Sequence, residues 1–140
     1  MIVKRAFLNV QDIFVNKYGK IEGKADRFEF WSFALFCYAL YLLSFLLNFI
    51  PILGPVLASL LVLALIVPYI TTAIRRLHSI GFNMVLALLP LVLLALGLLS
   101  LAFASIYLDK TLLILYPIFL YSALGTTLLV HILLLLKERY

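Results

Sequence analysis

From residue 31 to residue 107 the chain carries only two charged side chains, the adjacent Arg75 and Arg76. They open the stretch Arg75-Arg76-Leu77-His78-Ser79-Ile80-Gly81, with almost wholly apolar sequence on either side. Of the 140 residues, 66% are hydrophobic and 12% charged, against about 45–50% and about 25% in soluble domains. A water-soluble domain of this size could not cover so much apolar surface, so the solvent has to be a bilayer.

Four apolar runs are long enough to cross about 30 Å of hydrocarbon at about 1.5 Å per helical residue. Their expected spans are 28–50, 56–74, 84–108 and 111–136. The uncharged Pro51-Ile52-Leu53-Gly54-Pro55 reads as the first turn, since Pro and Gly punctuate helices and Pro suits a helix start. Residues 75–83 read as the second connection, and Asp109-Lys110 as the third. Pro68, Pro90 and Pro117 fall inside spans, where a proline kinks or loosens the helix. The hydroxyls of Thr71 and Thr72 are expected to bond carbonyls freed near Pro68.

Charge then sets direction. With four spans, both termini and the 75–83 loop share a side that holds ten of the eleven Lys and Arg residues. The positive-inside rule places that side in the cytoplasm. Burying Arg75 and Arg76 in hydrocarbon instead would cost at least about 2.5 kcal/mol each. The expected fold class is therefore an all-α integral membrane protein, with four transmembrane helices in an antiparallel bundle. The net charge of +5 is read as loop charge rather than as a nucleic-acid signal.

The segment 1–25 is expected to stand apart from the transmembrane region 26–140 as a cytoplasmic interfacial piece. Val3, Phe7, Val10, Phe14 and Tyr18 recur at helical spacing over residues 2–18, with Arg5, Asn9, Asp12 and Asn16 opposite. Such a helix either lies in the headgroup layer beside Lys4, Lys17, Lys20 and Lys24 or packs on the ends of the bundle; the two are compatible. Its mixed polarity does not read as a cleavable signal. Gly19 and Gly23 end the pattern. Asp26 and Glu29 then have capping-box spacing, and Phe28, Phe30, Trp31 and Phe33 make an interfacial aromatic cluster at the start of the first span.

The polar ends of spans 1 and 2 meet in one layer. Lys24, Asp26, Arg27, Glu29 and Trp31 come from one side, and Arg75, Arg76, His78 and Gly81 from the other. A carboxylate of Asp26 or Glu29 is expected to pair with Arg75 or Arg76, because the guanidinium fork suits a partly buried carboxylate. On a continuing helix His78 would share a face with Arg75. No second His, Cys or carboxylate stands at ligand spacing, so neither a metal nor any other cofactor is expected. Cys37 reads as a small buried apolar residue. No charged group lies mid-span, as ion-coupled transport usually needs, and no catalytic motif is present. Ser100 with Ala104, and Ser122 with Thr126, have the spacing that lets membrane helices approach closely.

Gly23-Lys24-Ala25-Asp26-Arg27-Phe28-Glu29-Phe30-Trp31 resembles a Gly-Arg-x-x-Arg-x-Glu-Phe-Trp motif, and Arg75-Arg76-Leu77-His78-Ser79-Ile80-Gly81 an Arg-Arg-Leu-His-Asp-x-Gly motif. In this order, with Phe14, Lys17 and Tyr18 as lead-in, they resemble the bacterial inner-membrane family catalogued as domain of unknown function 805, over about residues 10–108. Lys24 and Ser79 depart from it, where an arginine and an aspartate are usual. So does Asn83-Met84-Val85, where Ser-Gly-Trp is usual. A fourth span stands where the family has a polar tail. The resemblance implies a small inner-membrane protein and no particular activity.

Three functions fit these features. The first is a non-enzymatic membrane component whose cytoplasmic polar cluster binds anionic lipid headgroups or a partner protein. The second is a subunit of a homo-oligomeric transporter or channel, since four spans enclose little volume alone. The third is an enzyme acting on lipid headgroups through His78 and the arginines.

Overall fold

The structure is a computed structural model, and it describes residues 2–51, 53–107 and 110–136. The expected charged features at Asp109 and at residues 137–140, and Ile52 of the first turn, lie outside the described residues. Five helices follow in order: α1 (Ile2–Asn16), α2 (Arg27–Leu47), α3 (Leu53–Ile80), α4 (Val85–Tyr107) and α5 (Lys110–Leu134). No strand occurs among the described residues. Helices α2 to α5 are each long and apolar enough to cross a membrane. The chain forms two compact units, one up to Gly81 and one from Phe82 to Leu136.

In the first unit, α2 and α3 form a hairpin and α1 packs on it. Asp26 caps α2 by accepting the Glu29 N–H, which satisfies one of the donors that a helix start leaves open. The Glu29 carboxylate does not close the reciprocal half of the capping box; it turns away to two cations described below. At the far end of the hairpin, Gly54 touches the end of α2 so closely that a Cβ there would collide with the Leu47 carbonyl.

Helix α3 is longer than the sequence reading allowed. Its 28 residues continue through Arg75 and His78 to Ile80, where a loop from residue 75 was expected. Nothing in Arg75–Ile80 breaks a helix. The stop comes at Gly81, whose φ of 81° is the left-handed conformation that glycine adopts without cost. At about 1.5 Å per residue, α3 is about 42 Å long, more than the hydrocarbon core. It is therefore long enough for one end to extend beyond the hydrocarbon, and the arginines need no loop to leave it.

The core of this unit is Ile13, Phe33, Cys37 and Leu65, with Val10, Phe14, Phe36, Leu40, Tyr41, Leu61 and Tyr69 packed around it. Phe14 meets Phe33 and Phe36 edge-on, at 5.7 and 6.1 Å between ring centroids. Cys37 is buried as expected. The packed face of α1 is centred on Ile13, while Val3 and Phe7 are exposed. The expected stripe therefore packs in part, through Val10 and Phe14 but not through Val3 and Phe7. Its residues share one face by spacing, but α1 has apolar residues on more than one side, and packing selected the side holding Ile13.

In the second unit α4 and α5 form a hairpin. Asn83 starts α4 by accepting the Val85 N–H at 3.0 Å. Gly97 lies against Tyr116, Phe119 and Leu120 of α5, and a Cβ there would stand 3.2 Å from the Phe119 Cβ. Among the α4 residues whose burial is described, Gly97, Ser100 and Ala104 are the buried positions and recur at spacings of three and four, as close helix approach requires. On α5 the buried small residue is Ala123, whereas Ser122 is exposed and Thr126 half-buried. Their hydroxyls bond carbonyls of their own helix, Ser122 to Ile118 and Thr126 to Ser122, so neither needs a partner helix.

Candidate functional site

The polar end of the first unit is built by three pieces of chain: the C-terminal end of α1 with its following segment, the first turn of α2, and the last turns of α3. Glu29 is its centre. Its Oε1 accepts from Arg75 Nη1 at 2.9 Å and from Lys17 Nζ at 3.2 Å. The Arg75 side chain is 3% exposed and that of Glu29 14%, so this ion pair is largely withdrawn from solvent. Of the four pairings left open by the sequence, this is the one formed.

Arg75 has a further acceptor in Thr72 Oγ1, at 3.3 Å. Its main-chain carbonyl takes the Ala25 N–H at 3.3 Å. Arg76 is fully buried. Its Nη1 donates to the Ala25 carbonyl at 3.3 Å and to Ser79 Oγ at 3.1 Å. Ala25 thus gives its N–H to one turn of α3 and its carbonyl to a neighbouring arginine. Ser79, standing where the resemblance leads one to expect an aspartate, supplies a neutral oxygen and returns its own proton to the Arg76 carbonyl at 2.7 Å. A buried guanidinium is stabilised by engaging its donors; these contacts engage Nη atoms of both arginines from within the chain, while Arg75 Nε is buried without a partner.

Lys17 extends the network outward. It also pairs with Asp12, at 2.7 Å. The Lys17 ammonium, then Asn16, hold the Asp12 carboxyl below its ordinary value, and Asp12 in turn raises Lys17 above its own. Asp12, Lys17, Glu29 and Arg75 are therefore one chain of alternating charge that ties α1 to α2 and α3.

The remaining residues singled out in the sequence divide sharply. Trp31 is half-buried and meets Phe30 edge-on at 5.2 Å. Asp26 is the α2 cap and has Arg5 at 3.9 Å, with the Arg5 guanidinium 4.6 Å over the Phe28 ring. Lys24 and Arg27 are exposed. His78 is exposed too, although residues 71–77 and 79–80 are all buried. It does not join Arg75. Three residues of helix turn through about 300°, leaving about 60° between the two side chains, and the edge of the packed face falls in that gap. Gly81 is the helix stop rather than a contact residue.

Two residues that matter here were not read as part of the site. Tyr18 donates from Oη to the Ala64 carbonyl at 2.8 Å, and its own carbonyl accepts from Thr71 Oγ1 at 3.1 Å. The expectation that Thr71 and Thr72 would serve a carbonyl freed by proline is corrected. Both hydroxyls reach the Pro68 carbonyl itself, whereas the carbonyl that loses its helical donor lies four residues earlier, at Ala64. That offset was a usable signal for Ala64. Ile13 was hidden by falling between Asp12 and Phe14 in a helix with more than one apolar side.

Chemically, the buried part of this end is an ion-paired and hydrogen-bonded network in which Arg75 Nε is buried without a partner, and its exposed rim is basic and apolar. Comparison with known proteins agrees with the signature residues. A search of curated proteins and a search of solved structures each return no match. A family model described as a protein of unknown function (DUF805) matches residues 18–137. The match begins at the residue that closes α1 against α3, includes both motifs, and runs on through α5, beyond the range of about 10–108 read from the motifs. Both halves of the signature lie in one network, Glu29 from the first bonded to Arg75 of the second, and the chain belongs to the DUF805 family.

Proposed function

We propose that this protein is a non-enzymatic component of a bacterial inner membrane that binds anionic lipid headgroups at its cytoplasmic face, with both termini on that side. The observation that carries this reading is the composition of the rim. Lys4, Lys20, Lys24 and Arg27 are exposed on the same unit as exposed Ile2, Val3, Phe7, Leu8 and Ile21. Basic groups beside unburied apolar side chains suit a surface that offers phosphate and hydrocarbon together. Arg75 and Arg76 hold the fold and are not the ligand-binding arginines of this reading. A headgroup would meet the outer lysines.

The test is native mass spectrometry of the protein released from nanodiscs of mixed zwitterionic and anionic phospholipid. The comparison is wild type against a combined Lys4→Gln, Lys20→Gln, Lys24→Gln variant. At about 1 kcal/mol per lysine near the surface, retention of anionic lipid should fall about a hundred-fold while zwitterionic adducts stay unchanged. Equal anionic retention in both would sink the lipid reading. Loss of a co-purifying protein instead, with lipid unchanged, would replace it with a protein partner. A C-terminal reporter active only outside the cytoplasm would refute the orientation.

A further inference from the structure

Proline 68 interrupts the bonding of a helix long enough to cross a membrane. It has no N–H, so the Ala64 carbonyl lacks the donor that every neighbouring carbonyl receives from four residues on. In hydrocarbon no water replaces it, and such a gap is filled by a side chain or by another helix. Here it is filled from the N-terminal segment, by the Tyr18 hydroxyl at 2.8 Å. The same residue is held on the other side of the proline, where its carbonyl accepts from Thr71 Oγ1 at 3.1 Å. One residue just beyond α1 therefore straddles the break in α3, with one bond four residues before Pro68 and one three residues after it.

We propose that α1 is a strap over a proline hinge: while α1 is docked, Tyr18 completes the bonding of α3 at Pro68 and holds that helix in one form, and when α1 lifts, α3 is free to bend there. Two further anchors act on the same strap. Ile13 is buried between α2 and α3 with Phe33, Cys37 and Leu65, and Lys17, next to Tyr18, is bonded to Asp12 and Glu29. Sharp bends in helices concentrate at prolines, and a bond supplied from outside the helix is one that can be withdrawn. The segment joining the strap to α2 carries exposed Lys20 and Lys24, so whatever engages those lysines pulls on Tyr18 through a few residues of main chain. The hinge and strap stand whatever those lysines bind.

A double-variant cycle tests this, using the full chain in nanodiscs with Tyr18→Phe, Pro68→Ala and the two combined. Main-chain hydrogen exchange of α1 reports docking, and exchange of α4 and α5 serves as the internal control of folding. Tyr18→Phe removes one hydrogen bond and should speed α1 exchange about five-fold. In the Pro68→Ala background the restored residue-68 N–H serves Ala64, and the same change should then have an effect of less than about two-fold. Equal acceleration in both backgrounds, or none with proline present, overturns the strap.

The hinge has its own readout, valid even where a variant's exchange changes throughout. Spin labels at the exposed positions Leu60 and His78 lie on either side of Pro68, about 27 Å apart along the axis. Their distance distribution should broaden with Tyr18→Phe and narrow again when Pro68→Ala is added. An unchanged distribution in Tyr18→Phe refutes the hinge.

Discussion

Replacing Glu29 by glutamine isolates the central ion pair with little change of shape. The variant keeps an oxygen near Arg75 Nη1 but removes the charge. Removing one partner of a fully buried pair costs about 3–5 kcal/mol, because the surviving charge is left uncompensated in a poor solvent. Arg75 is nearly that case, at 2% exposed, and it retains Thr72 as a neutral acceptor. The Glu29 side chain is 14% exposed and Lys17 33%, so Lys17 can re-solvate and contributes as a surface pair would, about 0.5 kcal/mol. A net loss of about 2–3 kcal/mol follows. Titration of the protein in mixed micelles with a denaturing detergent, followed by loss of helix and of Trp31 fluorescence, measures it. Arg75→Gln should cost a similar amount. The double variant should cost about 1.5 kcal/mol less than the sum, since its members share one interaction. A Glu29→Gln loss under about 0.5 kcal/mol, or strict additivity, would refute the reasoning, because it would mean that Arg75 is solvated where the geometry has it enclosed.

Three further outcomes follow. Gly54→Ala drives a methyl group into the Leu47 carbonyl, a main-chain contact that cannot rotate aside, so the same titration should show about 3 kcal/mol lost. Gly97→Ala needs only a few tenths of an ångström from Phe119 and should stay within about 1 kcal/mol, whereas Gly97→Leu, which forces α4 from α5, should exceed about 2 kcal/mol; equal costs would mean that the crossing at Gly97 is loose. Unfolding of the first unit, followed by energy transfer between dyes on exposed Gln11 and Leu43, should be flat at intermediate pH. Asp12 is held below its ordinary value of 3.8, so its contribution is complete above about 3.8 and disappears as pH falls through the lowered value. Lys17 is held above 10.5, so its contribution is complete below about 10.5 and disappears as pH rises through the raised value. Asp12→Asn should weaken the acid limb; an unchanged acid limb would contradict the pairing.

The parts of this protein legible in one dimension are those set by solvent and by local chain chemistry. Apolar runs of helix-spanning length mark α2 to α5, because the bilayer admits little else. Asp26 marks the start of α2 through its own side chain. The basic pair at Arg75-Arg76 marks a polar layer, because charge is expelled from hydrocarbon. The motif pair around Glu29 and Arg75 marks the family.

What needed the tertiary structure is everything that depends on how a helix is rotated and on what comes back from far along the chain. The same spacing that put Arg75 and His78 near one face left one buried and the other exposed, because a difference of about 60° decides burial at the edge of a packed face. Glu29 took Arg75 and Lys17 while Arg76 turned to Ala25 and Ser79, a division set by how α2 and α3 face each other. Periodicity grouped Val10 and Phe14 with the exposed Val3 and Phe7, and only contact with Phe33, Cys37 and Leu65 picked Ile13. Pro68 announces an unpaired carbonyl at Ala64, but that Tyr18 supplies the missing proton, from 46 residues away in sequence, is a fact about packing that no local rule contains.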